Sequence, residues 1–378
     1  MPNIQMVDLH NQYLNIKEDI DAAIQDVLDK GYFINGAPVH NFAKNLSDYL
    51  KVKHVIPCAN GTDAIQIALM ALDLQPGDEV ITTPFTFVAT AEVIALLHLI
   101  PVFVDIHPDT FNIDENKILE VISPRTKCII PVHLFGLTAN MEKIMEIAEK
   151  YNLYVIEDNA QAIGGDYTFS NGIKKKSGTI GHIGCTSFYP SKNLGCYGDG
   201  GAIFCNDDAI GEKINVICNH GSKVKYYHES IGVNSRLDSM QAGILNVKLK
   251  HLDEYIKARQ KAADYYDREL SGIPGITTPA RSTFSTHVFH QYTLMVEANR
   301  DELQKTLSSK GIPSMIYYPV PLHMQSAYTG DGYKEGDFPV SEQAAKQVLS
   351  LPMHTELNEE MLATICNEIK SAVTAHAI

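Results

Sequence analysis

Basic residues are scarce in this sequence of 378 residues, in which 31 Lys and Arg stand against 45 Asp and Glu. The formal net charge of −14 argues against a general binding surface for nucleic acid or anionic membranes, because both partners require a basic patch. The sequence has no helix-turn-helix pattern either. We therefore expect no nucleic-acid partner, although one pocket for a phosphorylated small molecule can still be locally positive.

The sequence also lacks the features of a secreted or membrane protein. Its seven cysteines include no C-x-x-C pair, and their odd number and apolar surroundings predict buried free thiols in a reducing cytosol. No basic region followed by an apolar region opens the chain, so we expect no signal peptide and a cytoplasmic location. The most apolar stretch, 93–104, is interrupted by His98 and Pro101 and is too short to span a bilayer.

What is present predicts a globular α/β protein with two domains. Hydrophobic residues make up 45% of the chain and charged residues 20%, which is typical of a soluble globular protein. Strand-like and helical patterns alternate over 77–157, so a mostly parallel sheet covered on both faces is expected. One long helix opens near Gly232, and we place the hinge in it, between a large domain over 1–250 and a small α+β domain over 251–378.

One lysine, Lys192, stands between an apolar strand-like run and a segment rich in glycine. The glycines leave little side-chain bulk after the lysine, as a backbone needs where it turns tightly beside a ligand. They are Gly195, Gly198, Gly200 and Gly201. Two interpretations remain open at this point: an ordinary surface lysine, or a lysine that forms a Schiff base and needs partners elsewhere in the chain.

Three further features match the needs of a pyridoxal phosphate (PLP) site. Asp158 follows an apolar strand-like run, where α/β proteins bind ligands, and could pair with a protonated ring nitrogen. Gly61 and Thr62 open a helix whose free N–H groups suit a phosphate. Phe87 could stack on the ring. Each has an ordinary alternative, such as a helix cap, but together with the lysine they favour PLP.

Seven segments together resemble the DegT/DnrJ/EryC1/StrS sugar aminotransferases, which are PLP enzymes of fold type I. The resemblance covers nearly the whole chain. The segments are VDL (7–9), NGTDA (60–64), EDNAQA (157–162), SFYPSK (187–192), GVNSR (232–236), YPVPLH (318–323) and LPMH (351–354). This resemblance implies a large domain with a mostly parallel seven-stranded sheet and a smaller C-terminal α+β domain.

The resemblance also implies a role for each cofactor residue. Lys192 would hold the cofactor as a Schiff base and then move the proton between the substrate and the cofactor. Asp158 would pair with the ring nitrogen, Gln161 would lie near the phenolic oxygen, and Phe87 would cover the other face. The phosphate would be bound by Gly61, Thr62, Ser187 and, from the neighbouring subunit, Asn234. A homodimer with shared active sites is therefore expected, with no metal.

The most similar group within the family aminates UDP-2-acetamido-2-deoxy-3-oxo-glucuronate, and glutamate is the family's usual amino donor. Arg236 suits a bidentate pair with the uronate, and Tyr317 and Tyr318 are candidates for sugar contacts. His220 and His323 are candidates for the pocket lining. A structural salt bridge for the arginine and core or loop positions for the histidines are equally open.

Three other functions stay open. The first keeps the chemistry and changes the sugar to a dTDP-3-keto-6-deoxyhexose. The second is a dehydratase of the same fold, in which histidine replaces the lysine, and the presence of Lys192 counts against it. The third is a non-catalytic regulator that binds a ligand. If the chain is the sugar aminotransferase, we expect its amino-sugar product to be used for surface polysaccharide, such as the O-antigen of lipopolysaccharide.

Overall fold

A computed structural model describes residues 3–328 and 332–376. Fourteen strands lie within these residues. In chain order they are β1 (His54–Cys58), β2 (Glu79–Thr82), β3 (Ile100–Phe103), β4 (Thr126–Ile129), β5 (Tyr154–Asp158), β6 (Asp166–Thr168), β7 (Lys174–Lys176), β8 (Ile183–Ser187), β9 (Gly201–Cys205), β10 (Ser222–Val224), β11 (Tyr227–His228), β12 (Ile276–Thr277), β13 (Tyr292–Val296) and β14 (Val348–Leu351).

Thirteen α-helices lie in the same described residues and alternate with the strands through the first two thirds of the chain. They are α1 (Leu9–Asn15), α2 (Lys17–Lys30), α3 (Ala37–Leu50), α4 (Gly61–Ala71), α5 (Ala89–Leu96), α6 (Glu115–Val121), α7 (Met141–Tyr151), α8 (Asp208–Cys218), α9 (Ser239–Leu249), α10 (Leu252–Leu270), α11 (Arg300–Ser309), α12 (Pro339–Gln347) and α13 (Glu359–His376). Of these helices in the described ranges, none is long and apolar enough to cross a membrane.

Seven strands form the central sheet in the order β1-β9-β8-β5-β4-β2-β3. The strands from β8 to β3 pair in parallel, whereas β9 runs antiparallel to both of its neighbours. Helices α4, α5 and α8 pack on one face, and α6 and α7 on the other. The interior strands are therefore largely buried on both faces. The predicted mostly parallel seven-stranded sheet is confirmed.

The C-terminal part contains a second, antiparallel sheet of β12, β13 and β14. Its buried core includes Tyr266, Tyr292 and Leu294 with residues of α11 and α13. The prediction of one continuous helix across residue 250 is wrong, because α9 ends at Leu249 and α10 begins at Leu252. The division into 1–250 and 251–378 stays a prediction. All seven cysteines are buried and free, as expected.

Candidate active site

A cavity of about 610 Å³ opens where the parallel strands end. Asp158 is the last residue of β5 and Ser187 the last residue of β8, and such strand ends are where α/β sheets bind ligands. The structure brings nine of the thirteen predicted site residues to the cavity wall. They are Gly61, Thr62, Phe87, Asp158, Gln161, Ser187, Lys192, Tyr317 and Tyr318.

The carboxylate of Asp158 is buried and held by two donors. The Thr90 hydroxyl donates to Oδ2 at 2.8 Å, and the Ala160 backbone N–H donates to Oδ1 at 3.1 Å. One donor on each oxygen fixes the orientation of the group. Asp158 therefore presents a carboxylate in one fixed position to the cavity, as a protonated ring nitrogen requires.

Lys192 lies in the same cavity and is only partly accessible through it. Removal from water lowers the pKa of its amine to about 8, while the negative charge of Asp158 opposes that shift. The backbone around Lys192 is also fixed, because its N–H donates to the Tyr189 carbonyl at 2.8 Å. A lysine with this pKa has a sizeable neutral fraction near physiological pH, which nucleophilic attack and proton abstraction require.

We expect Lys192 in the cofactor-free protein to titrate with a midpoint near pH 8, well below the surface lysines. Buried surroundings favour the neutral amine. The rate at which Lys192 reacts with a labelling reagent should therefore increase around pH 8 and become constant at higher pH. Competitive labelling of all lysines with a small reagent, followed by mass spectrometry of the Lys192 peptide, measures the midpoint. A midpoint above about 10, the ordinary value for lysine, would contradict the burial argument.

The amino end of α4 forms an anion cradle in the cavity. The Asn60 side chain accepts from the Asp63 N–H at 2.8 Å, and its carbonyl accepts from the Ala64 N–H at 3.1 Å. Those bonds satisfy the third and fourth N–H groups of the helix, so the first two, of Gly61 and Thr62, remain to bind a ligand. Both residues line the cavity, and the helix dipole there favours a phosphate.

Gly61 is required at this point because another residue approaches it closely. A Cβ on Gly61 would lie 2.7 Å from the Cβ of Ser187, a separation that side chains do not adopt without moving apart. The glycine therefore lets Ser187 stand against the amino end of α4. The cradle fits a phosphate group in both space and hydrogen-bond donors.

Gly61→Ala is expected to weaken PLP binding by about tenfold or more, because the added methyl group displaces a phosphate donor and one hydrogen bond to a charged group contributes roughly 1.5–3 kcal/mol. Fluorescence or absorbance titration of cofactor-free protein with PLP measures the dissociation constant. Gly243→Ala is the matched control, because a Cβ on Gly243 in α9 would meet its nearest described neighbour at an ordinary 3.5 Å. Equal affinities for the two variants would contradict the role of the cradle.

Two aromatic residues and an amide complete the ring pocket. The Phe87 side chain is 55% exposed, so its ring has a face free to cover a planar ligand. The Gln161 amide is oriented at both ends, because its Oε1 accepts from the Phe135 N–H at 2.8 Å and its Nε2 donates to the Tyr318 hydroxyl at 3.3 Å. These contacts hold Gln161 beside the cavity in one orientation.

Four predicted site residues lie outside the cavity of this chain. Asn234 and His220 are exposed and Arg236 is half-buried, and none of the three lies among the described residues of the cavity wall. His323 is buried against Phe338 and shares a 3.1 Å hydrogen bond with Glu342. His323 is therefore engaged within its own chain and is not placed for a sugar contact.

The cavity also contains residues that the sequence patterns did not indicate. Tyr189 and Ser191 belong to the quoted SFYPSK segment without having been assigned a role there, and the others lie outside the seven quoted segments, so no local motif marks them. Those that line the wall with polar or aromatic side chains are Thr86, Phe135, Tyr189, Ser191, Asp199, His290 and Gln291. Thr90 lies behind the wall, where its hydroxyl donates to Asp158; its position three residues after Phe87 was the available signal.

A lysine of lowered pKa, a fixed carboxylate and a phosphate cradle at the edge of this sheet define the PLP-dependent enzymes of fold type I. Comparison of the sequence with protein families gives the narrower assignment. The DegT/DnrJ/EryC1/StrS aminotransferase family matches residues 14–370. The chain belongs to this family, which confirms the predicted aminotransferase class and its PLP cofactor.

Two relatives are similar over nearly their whole length. A protein of Geobacillus stearothermophilus named as a pleiotropic regulatory protein is 49% identical, with 97% of this chain and 98% of the relative covered. The UDP-2-acetamido-2-deoxy-3-oxo-D-glucuronate aminotransferase of Pseudomonas aeruginosa is 47% identical, with 96% and 98% covered. The crystal structure of NtdA from Bacillus subtilis, with bound pyridoxamine phosphate, superposes with a TM-score of 0.90 at 33% identity, covering 99% of this chain and 85% of NtdA.

Proposed function

We propose that this chain transfers the amino group of L-glutamate to a nucleotide-linked 3-keto sugar, with UDP-2-acetamido-2-deoxy-3-oxo-glucuronate as the first candidate. The observation that carries the proposal is the cavity in which Lys192, with its lowered pKa, and the fixed carboxylate of Asp158 lie together. The 47% identical relative that bears this activity in its name supports the choice of sugar.

The bound cofactor would supply the electron sink that makes the proton on the substrate carbon acidic. Asp158, held by Thr90 and Ala160, would face the ring nitrogen of the cofactor and favour its protonated form. Lys192 acts at its Nζ, first as the nucleophile and then as the base that takes and returns the proton. Its pKa of about 8 suits both tasks, because general bases work best when their pKa lies near the working pH.

The remaining wall residues would bind and orient the ligands. Gly61, Thr62 and Ser187 hold a phosphate at the amino end of α4. Phe87 covers a ring face and excludes water from it. Tyr317 and Tyr318 line the cavity beyond the lysine and are the candidate sugar contacts within the chain.

A homodimer would complete each site. Apart from Lys192, the described residues that line the cavity include no lysine or arginine, whereas glutamate and a nucleotide sugar both carry negative charge. Asn234, Arg236 and His220 lie outside the cavity, near the β10–β11 hairpin, whose tip bears the exposed Tyr226. Exposed aromatic surface of this kind favours burial against a second subunit, which would bring Asn234 and Arg236 to the neighbouring cavity.

A panel of keto sugars tests the proposal. Purified protein in its aminated cofactor form is mixed with the UDP-linked keto-uronate or with a dTDP-3-keto-6-deoxyhexose, and return of the absorbance of the aldehyde form of the cofactor is recorded. The proposal expects the UDP sugar to react faster. A faster reaction with the dTDP sugar would instead identify that sugar as the preferred substrate. No reaction with any sugar would favour a regulator, the role that the 49% identical relative's name describes.

The cellular role follows from the product. An amino sugar linked to a nucleotide is an activated building block, so we infer that it serves surface polysaccharide, such as the O-antigen of lipopolysaccharide, and is made in the cytoplasm. Detection of the amino sugar in the cell-surface polysaccharide, and its loss when the gene is deleted, would test this role.

A further inference from the structure

A histidine and a glutamate that no step of the proposed mechanism uses form a fully buried pair directly behind Asp158. Glu157 precedes Asp158 in β5, and both Glu157 and His133 are 0% exposed. Nε2 of His133 lies 2.8 Å from Oε2 of Glu157. Nδ1 of the same ring accepts from the Ala139 N–H at 3.2 Å, so the ring hydrogen is assigned to Nε2, which donates to the carboxylate. Neither side chain belongs to the described wall of the cavity.

The carboxylate of Glu157 is also held by the loop between β7 and β8. Its Oε1 accepts from the N–H groups of Ile180 at 2.5 Å and Gly181 at 2.6 Å. Its Oε2 accepts from the Gly178 N–H at 2.8 Å. With His133, four donors surround this one group, and hydrogen bonds to a carboxylate are among the strong ones in proteins. Glu157 is therefore a rigid anchor for the histidine.

The pair is tied through the backbone to Asp158. The Asp158 N–H donates to the Pro131 carbonyl at 2.9 Å, and the His133 N–H donates to the Asp158 carbonyl at 3.0 Å. Both backbone groups of Asp158 are therefore bonded to one segment, and the side chain of His133 fixes the end of that segment on Glu157. Side chains alternate along a strand, so Glu157 points away from the face on which Asp158 meets Thr90.

The same histidine begins the turn 133–136, which contacts Gln161. Phe135 in this turn lines the cavity, and its N–H donates to Oε1 of Gln161 at 2.8 Å. Its φ of 57° lies in the left-handed region, which costs free energy for a residue with a side chain and persists only where the surroundings hold it. The bond from His133 to Glu157 is one of the contacts that hold the turn.

We propose that the Glu157–His133 pair positions Asp158 and Gln161 for the cofactor by holding the end of β5 and the turn 133–136 in one arrangement. The proposal rests on the cofactor roles given under the proposed function. A buried charge is a poor source of stability compared with an apolar pair of similar size, whereas hydrogen bonds fix both distance and direction. Such precision matters in an active site, because a displacement of about 1 Å can cost on the order of 10²-fold in rate.

Two substitutions at His133 separate its two side-chain hydrogen bonds. His133→Gln places an amide NH₂ near the position of Nε2, so it can still donate to Glu157. His133→Asn places an oxygen near the position of Nδ1, so it can still accept from Ala139, but it leaves Glu157 without this donor. Both variants put a neutral amide at the same buried site, and they differ in the bond that the proposal requires.

The first readout is the pH midpoint of the absorbance spectrum of the bound cofactor. A protonated ring nitrogen puts a positive charge on the ring to which the Lys192 nitrogen would be bonded, and so disfavours protonation of that nitrogen. A displaced Asp158 supports the ring charge less well. We therefore expect the midpoint to rise by about one pH unit in His133→Asn, a tenfold change in proton affinity, and to stay near the wild-type value in His133→Gln.

A pair that only stabilised the core would give a different result. His133→Asn would then lower the melting temperature and leave the midpoint unchanged, which would overturn the proposal. Equal shifts in both variants would also overturn it, because the bond to Glu157 would not be the cause. If His133→Asn does not fold, His133→Leu replaces it, since leucine fills much of the space of the ring without a donor.

Asp158→Asn, measured alongside, separates this proposal from the proposed function. Its midpoint should rise at least as far as that of His133→Asn. An unchanged midpoint in Asp158→Asn would overturn the role of Asp158 and this proposal with it. A shift in Asp158→Asn without one in His133→Asn would overturn this proposal only. The spectrum needs no sugar, so it remains informative if the proposed substrate proves wrong.

Steady-state kinetics give a second readout. His133 lies outside the described cavity wall, so its substitution should leave KM for the keto sugar nearly unchanged. Loss of positioning should lower kcat in His133→Asn by about tenfold, and His133→Gln should recover most of the rate. A wild-type kcat in His133→Asn would overturn the positioning role, as would a rise in KM alone.

Discussion

Replacing Lys192 with alanine is expected to lower the rate of amino transfer by about 10⁴-fold or more, because in the proposed mechanism this one side chain provides both the nucleophile and the base. Within the described part of the chain no other lysine lines the cavity, so no neighbouring amine there can substitute for it. Single-turnover measurements with the aminated cofactor form and the keto sugar isolate the proton-transfer step. The variant should still bind the cofactor, since the phosphate cradle and Asp158 are intact.

Lys248 offers a matched control. It is also a buried lysine whose pKa falls to about 8 through removal from water, but it lies outside the cavity, with its Nζ 5.2 Å from the centre of the Tyr197 ring. Lys248→Met should keep most of the activity, because an apolar side chain of similar length replaces a buried charge at little cost. Full turnover by Lys192→Ala would refute the aminotransferase mechanism, and equal losses in both variants would indicate a general effect on folding.

The features that sequence reasoning could predict are those encoded by neighbouring residues. Asp158 follows an apolar run that had to be a buried strand, and a strand end in a parallel sheet is a ligand position wherever the strand sits. Gly61 and Thr62 open a helix, and helix starts bind anions for reasons of backbone geometry alone. The prediction for Lys192 needed further evidence, because a lysine before glycines can also be an ordinary surface residue. Only a carboxylate and a phosphate-binding helix start in the same chain favour a catalytic lysine.

The features that could not be predicted depend on which distant segments meet. His290 is far from Lys192 in the sequence, yet both line the cavity, and Arg259 and Gly136 contact the backbone at His290. His323 follows Tyr318 closely, yet its ring is hydrogen-bonded to Glu342 in α12 and is not part of the described cavity wall. Such contacts form only in the tertiary structure, and the periodicity and spacing of residues in the sequence do not predict them.

The residues expected from a second subunit form a separate class. Asn234 and Arg236 are separated by Ser235, whose hydroxyl accepts from the Ala59 N–H at 3.0 Å. That bond fixes the segment next to the start of the phosphate cradle, but neither neighbour belongs to the described wall of its own chain's cavity. The function proposed for Asn234 and Arg236 therefore depends on a dimer, which a single chain does not form. The sequence could indicate this function only through the resemblance of its motifs to those of a known family.

Asp158→Asn is expected to lower the rate of amino transfer on the order of 10³-fold, the loss that follows when one charged group opposite a developing charge is removed. The amide has the same shape, its oxygen can accept from the Ala160 N–H and its NH₂ can donate to the Thr90 hydroxyl, so the change removes the charge with little change in packing. A neutral partner no longer favours a protonated ring nitrogen, and the cofactor becomes a weaker electron sink. The rate and the absorbance spectrum of the bound cofactor measure the two consequences separately.

Thr90→Val separates the charge of Asp158 from its orientation. This variant removes the 2.8 Å hydrogen bond to Oδ2 but leaves the carboxylate and its 3.1 Å bond from the Ala160 N–H. One charged hydrogen bond is worth roughly 1.5–3 kcal/mol, so we expect a loss of about tenfold to a hundredfold, smaller than that of Asp158→Asn. If both variants lost the same activity, the position of the carboxylate would matter more than its charge. If Asp158→Asn kept more than about a tenth of the rate, the carboxylate would not be the partner of the ring nitrogen.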